Sequence, residues 1–307
     1  MRTDSAALLR AMPLVFVLIW STGFVVARFA MPHAPPLGFL TVRYALSILA
    51  FLVWIGWAGA RWPPRGTQWL HLGLTGVLMH AGYLGGVWIA VKGGLGAGLA
   101  ALIVGLQPIL TALWLSLAAG SAGAAAGSAG GRVQLRQWLG LVLGLAGLLL
   151  VLGHKLELGE ATLPTLAAAA VALLSITAGT LYQKRWVQPC DVRTANAVQL
   201  IAALLLTAPL ALLEPGRMEL HPELIGALAW SVLVLTLGGS SLLYLLIQRG
   251  AATAVTSLMY LVPPTTALMA WWLFDEALGP GVLAGLALTA VGVALIVRRG
   301  NPIKEIP

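Results

Sequence analysis

The sequence predicts an all-α integral membrane protein, built from ten transmembrane helices arranged as two inverted five-helix repeats. Three observations carry that expectation. Charged residues make up only 9% of the chain and hydrophobic residues 59%, whereas soluble domains carry about 25% charged residues. The apolar residues collect into runs close to the roughly 20 residues that cross a bilayer. Shifting the chain by 156 positions lays its first half over its second, so that Gly23 falls on Gly179, Leu72 on Leu228, Gly82 on Gly238 and Pro108 on Pro264. After Gly120 the offset becomes 145, with Gly140 on Gly285 and Gly147 on Gly292. The first half therefore carries extra residues, which fall in the Ala/Gly/Ser-rich stretch 120–133.

In order, the first repeat (1–153) offers spans at about 12–30, 37–58, 69–92, 96–118 and 136–153, each near the bilayer length. The second repeat (154–307) offers spans at about 164–183, 194–213, 223–247, 252–274 and 280–298. The charged start before the first apolar run resembles a signal peptide, but that run has an internal copy at 168–186, so it is expected to be retained. Five spans per repeat is an odd number. The second copy must then enter the membrane from the opposite side, which inverts it. With the amino terminus inside, 13 Lys and Arg fall in inner segments and four outside, with Arg43 left within a span. The positive-inside rule then puts both termini in the cytoplasm. The loops have no room for a soluble domain, and the low-complexity stretch 120–133 reads as a flexible hinge.

Composition also excludes functions. The net charge of +8 sits in short loops, where it sets orientation rather than binding nucleic acid. Cys190 is the single cysteine, so no intrachain disulfide forms, and the sequence shows no metal-ligand cluster. No P-loop signature appears, and no cofactor is called for. An intramembrane enzyme would need a catalytic cluster at membrane depth. His80 with Ser47 or Ser240 is the nearest approach to one, and no motif supports it.

Polar residues inside a bilayer are costly and mark candidate sites. Arg43 lies about two turns into the second span and has Gln199 as its repeat counterpart. It either fork-binds a carboxylate or phosphate or snorkels to the interface. His80 shares a helical face with Gly73, Gly76 and Tyr83, and either couples protons or hydrogen-bonds between helices. Gln107 precedes Pro108, and Tyr260 precedes the Pro263–Pro264 pair in the other copy. Such interruptions at matching positions mark either a transport site with bend points or kinks needed for packing. Trp20, Tyr182 and Tyr244 complete the inward stripes. All the acids lie in loops or at helix ends, which weakens a cationic multidrug exporter.

The ten spans, the segment WSTGFVVAR from Trp20, and SLMYLVPPTTALMAWWLFDEAL from Ser257 followed by a Gly-rich last helix resemble the EamA-like proteins of the drug/metabolite transporter superfamily. The resemblance covers about residues 12 to 299. It departs where an acid is expected near the end of helix four, which here reads Ala119 and Gly120. The family implies helices one to four and six to nine around a central cavity, with five and ten peripheral. It implies a secondary transporter of a bacterial-type inner membrane, exporting amino acids or related metabolites by alternating access. The alternatives are an exchanger of phosphorylated or nucleotide-linked substrates, a multidrug exporter, or, less in keeping with the repeat, a non-transporting scaffold. The expected partners are a small-molecule substrate and the lipid bilayer, with no nucleic acid, and neither monomer nor homodimer is indicated.

Overall fold

The computed structural model describes residues 3–64, 66–111, 113–114, 135–157, 161–239, 242 and 261–297. Among these, the regular elements are all helical. They are α1 (Thr3–Ala30), α2 (Pro36–Ala58), α3 (Thr67–Lys92), α4 (Ala97–Thr111), α5 (Leu135–Glu157), α6 (Leu163–Trp186), α7 (Val192–Leu213), α8 (Pro222–Gly239), α9 (Val262–Phe274) and α10 (Pro280–Val297). Five of them, α2, α3, α6, α7 and α8, are long and apolar enough to cross a membrane. Shorter apolar stretches occur in α1, α4, α5 and α10. Large apolar side chains are left uncovered along these helices, Trp57 and Leu212 being 88% and 87% exposed. An aqueous surface would not tolerate so many, whereas lipid tails would cover them.

Local sequence sets the helix ends. Prolines open α2, α6, α8 and α9, where the missing N–H has no partner to lose. Asp191 caps α7 by accepting from the Arg193 N–H, and Thr162 and Thr165 form a reciprocal capping box before α6. Gly59 ends α2 at φ 60°, a left-handed conformation that glycine adopts without strain. The insertion 120–133, Ser240, Tyr244 and Tyr260 lie outside the described residues.

Cross-contacts reveal how the halves meet. In α5 and α10, Gly147 packs on Gly285, and Gly292 on Gly140 and Gly144. As one number rises the other falls, so each helix runs antiparallel to its repeat counterpart. The same holds for α2 and α7, where Thr41 meets Thr207 and Arg193 stacks over Trp54. It holds again for α4 and α9, where Gly98 meets Ala267 and Gly105 meets Pro263. An inverted duplication requires this geometry. The remaining helices exchange partners: Gly23 of α1 faces Leu235 of α8, and its counterpart Gly179 of α6 faces Met79 of α3.

Loops gather at two faces. At the upper face, Glu214 accepts from the N–H groups of Leu37 and Gly38 at the start of α2. Glu276 does the same for Ala97 at the start of α4, and Lys92 donates to the Met31 carbonyl. Carboxylates at helix N-termini are favoured by the helix dipole. At the lower face, Gln68 and Gln188 bond each other reciprocally, and Thr194 donates to the Arg61 carbonyl.

Two helices are not regular throughout. Val77–Gly82 in α3 and Ser231–Gly239 in α8 are π-helical, and the 156-residue shift superposes them. Such segments are rare and concentrate at functional sites. The prolines behave differently from one another. Alpha-4 is interrupted by a turn at Gly105–Leu106, just before Gln107 and Pro108. Pro263 and Pro264 occupy the first turn of α9 as described from Val262.

Candidate functional site

A cavity of about 200 Å³ lies between the halves. It is bounded by α1, α2, α3, α6, α7 and α8, and both π-helical segments contribute to its wall. Its lining includes four repeat-related pairs: Trp20 with Ile176, Arg43 with Gln199, Met79 with Leu235, and His80 with Thr236. The pseudo-two-fold relation of the halves therefore runs through this space.

Arg43 is only 7% exposed, and its guanidinium meets the Thr236 hydroxyl through Nη2 at 3.1 Å and Nε at 3.4 Å. Thr236 in turn donates back to the Ser231 carbonyl at 2.8 Å, five residues earlier, as π-helical spacing allows. Among the described residues no carboxylate pairs with Arg43 and none lines the cavity. Charge buried this way is costly unless paired, so the arrangement favours an anionic group arriving from outside the protein. A guanidinium has five N–H donors, and its bonds to Thr236 leave others for a ligand.

His80, Tyr83, Trp20 and Trp88 also line the cavity, and Trp88 is stacked on Phe39 at 4.3 Å. The His80 carbonyl, within the π-helical turn, accepts from the Tyr83 N–H and also from the Tyr44 hydroxyl at 2.8 Å. Gln199 and Asn196 of α7 supply neutral amides to the wall. Gly76 allows this approach, because a Cβ there would collide with the Gln199 backbone.

Two other residues singled out from the sequence lie elsewhere. Gln107 donates to Thr180 at 2.9 Å, joining α4 to α6. Tyr182 bonds His71 Nδ1 at 2.7 Å, and His71 stacks on Trp186. Neither Gln107 nor Tyr182 lines the cavity, and neither do Pro108, Pro263 or Pro264. Among the described residues α4 and α9 contribute nothing to its wall. Thr236 escaped the sequence reading, although applying the repeat shift to His80 leads straight to it. Ser47 Oγ is buried without a hydrogen-bond partner, so His80 does not serve it as a base. One further grouping crosses sequence distance: His33, His221 and Glu223 come together at the upper face, although the sequence shows no metal-ligand spacing.

Two inverted helical halves around a mostly apolar cavity with Arg43 and His80 in its wall fit a membrane transport protein. The chain belongs to the EamA-like transporter family, whose model matches residues 9–153 and 163–298. It is 25% identical to a "Probable amino-acid metabolite efflux pump" of Salmonella typhimurium over 92% of this chain and 93% of that protein. It is likewise 25% identical to the "Uncharacterized inner membrane transporter YedA" of Escherichia coli K12, over 91% and 87%. An "Uncharacterized transporter" of Archaeoglobus fulgidus is 22% identical over 91% and 93%. A solved crystal structure superposes with a TM-score of 0.65 at 18% identity, covering 94% of this chain and 96% of that one; this likeness concerns the fold.

Proposed function

We propose that the protein exports small carboxylate-bearing metabolites, such as amino acids, by alternating access of its two halves. The observation that carries this reading is Arg43, a buried cation in the cavity wall with a hydroxyl neighbour and no acid among the described residues. Its remaining donors suit the fork geometry of a carboxylate. In this reading Gln199 and Asn196, which line the cavity, take the polar remainder of a zwitterion, and Trp20 and Tyr83 wall its side chain. A cavity of about 200 Å³ is below the roughly 300–1,000 Å³ of drug-sized pockets, which favours metabolites over multidrug substrates. Phosphorylated substrates would call for further cations, and Arg43 is the one Arg or Lys among the described lining residues. The naming of the Salmonella relative as a probable amino-acid metabolite efflux pump supports the same substrate class.

In this reading all ten helices span an inner membrane with both termini cytoplasmic. Rocking of α1–α5 against α6–α10 exposes the cavity to each side in turn, with no cofactor and no direct ATP drive. His80 lines the cavity and is, in this reading, the residue whose part in proton coupling the pH gradient tests. The test is uptake of a labelled amino-acid panel into proteoliposomes, with and without a pH gradient, by wild type and Arg43→Ala. Saturable uptake abolished by the substitution is expected. Wild-type uptake by Arg43→Ala would remove the carboxylate anchor, and no uptake of any amino acid would sink the substrate class.

A further inference from the structure

We propose that His33, His221 and Glu223 form a divalent transition-metal site at the upper face, joining the two halves of the protein. The three residues come from two separated loops. His33 lies between α1 and α2, whereas His221 caps α8 and Glu223 stands in its first turn. The Glu219 N–H donates to the His33 carbonyl at 2.9 Å, which holds the two loops together. His33 Nε2 is 3.0 Å and His221 Nδ1 is 3.9 Å from Glu223 Oε2. One ligating atom from each residue lies within 4.8 Å of the others.

Two imidazoles and a carboxylate are a donor set suited to zinc, nickel or copper. A tetrahedral ion held at about 2.0–2.2 Å from each donor sets the donors about 3.3–3.6 Å apart, so the 3.0 Å pair opens slightly and the wider separations close. The side chains that must move can do so: His221 and Glu223 are 46% and 49% exposed, whereas His33, at 17%, is the anchored member. The rings of His33 and His221 are stacked at 4.0 Å with 11° between their planes. For both imidazole lone pairs, which lie in their ring planes, to reach one ion, the exposed His221 ring must turn out of this stack. His221 Nδ1 now accepts from the Glu223 N–H at 3.3 Å, a long bond that is readily exchanged for a metal.

Nothing in the duplicated architecture demands this cluster. The positions related by the repeat are Pro189, Arg65 and Thr67, none of which offers an equivalent ligand set. The grouping therefore belongs to one face alone, the face that also carries the ties made by Glu214 and Glu276. A bound ion there would link the α1–α2 loop to α8 and stabilise the upper face in its joined state.

The test uses the full chain purified in detergent through a tag without histidines. Zinc and nickel binding are measured by titration calorimetry, and thermal unfolding is followed with and without each ion. One ion per chain and a raised unfolding temperature are expected. His33→Ala and Glu223→Gln should each weaken binding tenfold or more, and His221→Asn should do so while keeping a side chain able to cap α8. Glu219→Gln, outside the ligand set, should bind as wild type. Absence of binding, or binding of unchanged affinity and stoichiometry in the three ligand variants, would overturn the site. Because the readout is binding, failure of the transport reading would leave this result interpretable.

Discussion

The two halves of the protein build the cavity from equivalent positions but with unlike chemistry. The first half contributes Trp20, Arg43 and His80, whereas the second presents Ile176, Gln199 and Thr236 at the matching places. Both halves keep a π-helical segment there. Duplication thus supplied the shape, and divergence made one wall cationic and aromatic while the other stayed neutral. Under the proposed function, these two different walls would orient a bound substrate. The packing diverged too: Gly76 lies against the Gln199 backbone, while its counterpart is the buried Val232.

Making the halves alike should therefore be damaging, most of all in the packing. Gly76→Val copies the second half into the first and drives a side chain into the α7 backbone. Overpacking costs about 1–3 kcal/mol or more, and a backbone cannot swing aside as a side chain can. Little monodisperse protein should be recovered on size exclusion in detergent; normal yield and thermal stability would show that α3 and α7 can separate.

Arg43→Gln equalises the charged pair. Hydrogen bonds to charged groups contribute about 1.5–3 kcal/mol, so amino-acid transport should fall roughly ten- to a hundredfold in kcat/KM, with folding retained. Thr236→Val keeps the cation and removes its hydroxyl neighbour. The guanidinium then loses its positioning, and KM should rise up to about tenfold, less than for Arg43→Gln. If the two substitutions prove equal, Thr236 contacts substrate itself.

Glu276→Gln tests the ties between counterpart helices. Loss of a charged cap on α4 should cost about 1 kcal/mol, lowering the unfolding temperature by about 2–4 °C. The smallest effect concerns acid stability at the lower face. Hydrogen bonding from Arg193 holds the Asp191 carboxyl below its ordinary value of 3.8. A depressed carboxylate stabilises the fold above its unfolded value and ceases to do so as pH falls through the folded one. The stability gap between wild type and Asp191→Asn, followed by thermal unfolding from pH 6 down to pH 3, should narrow below about pH 4.

Much of the architecture is legible in the sequence because the bilayer demands long apolar helices and duplication leaves a register of glycines. Arg43, His80, Tyr83, Trp20 and Gln199 are found in the cavity wall because polar and aromatic groups at membrane depth are conspicuous. Gln107 and Tyr182 look similar in sequence, yet they hydrogen-bond to Thr180 and His71 away from the cavity. Periodicity cannot separate a polar side chain that faces a cavity from one that joins two helices. The stripe of Gly73, Gly76, His80 and Tyr83 also divides. Gly73 and Gly76 pack on Ala202 and Gln199 of α7, while His80 and Tyr83 face the cavity, because the π-helical turn at Val77–Gly82 breaks the phase that a regular helix would keep.

By itself the sequence determined a helical membrane protein with a doubled plan and one arginine out of place, because hydropathy, repeat spacing and charge are properties of the chain read in order. Only the tertiary structure decided that Thr236 would be Arg43's neighbour, that the counterpart helices α2 and α7 would be tied by Glu214 and α4 and α9 by Glu276, and that His33 would meet His221 and Glu223. These pairings join residues 177 to 193 positions apart. They exist because two antiparallel halves fold against each other, and local pattern carries no record of that meeting.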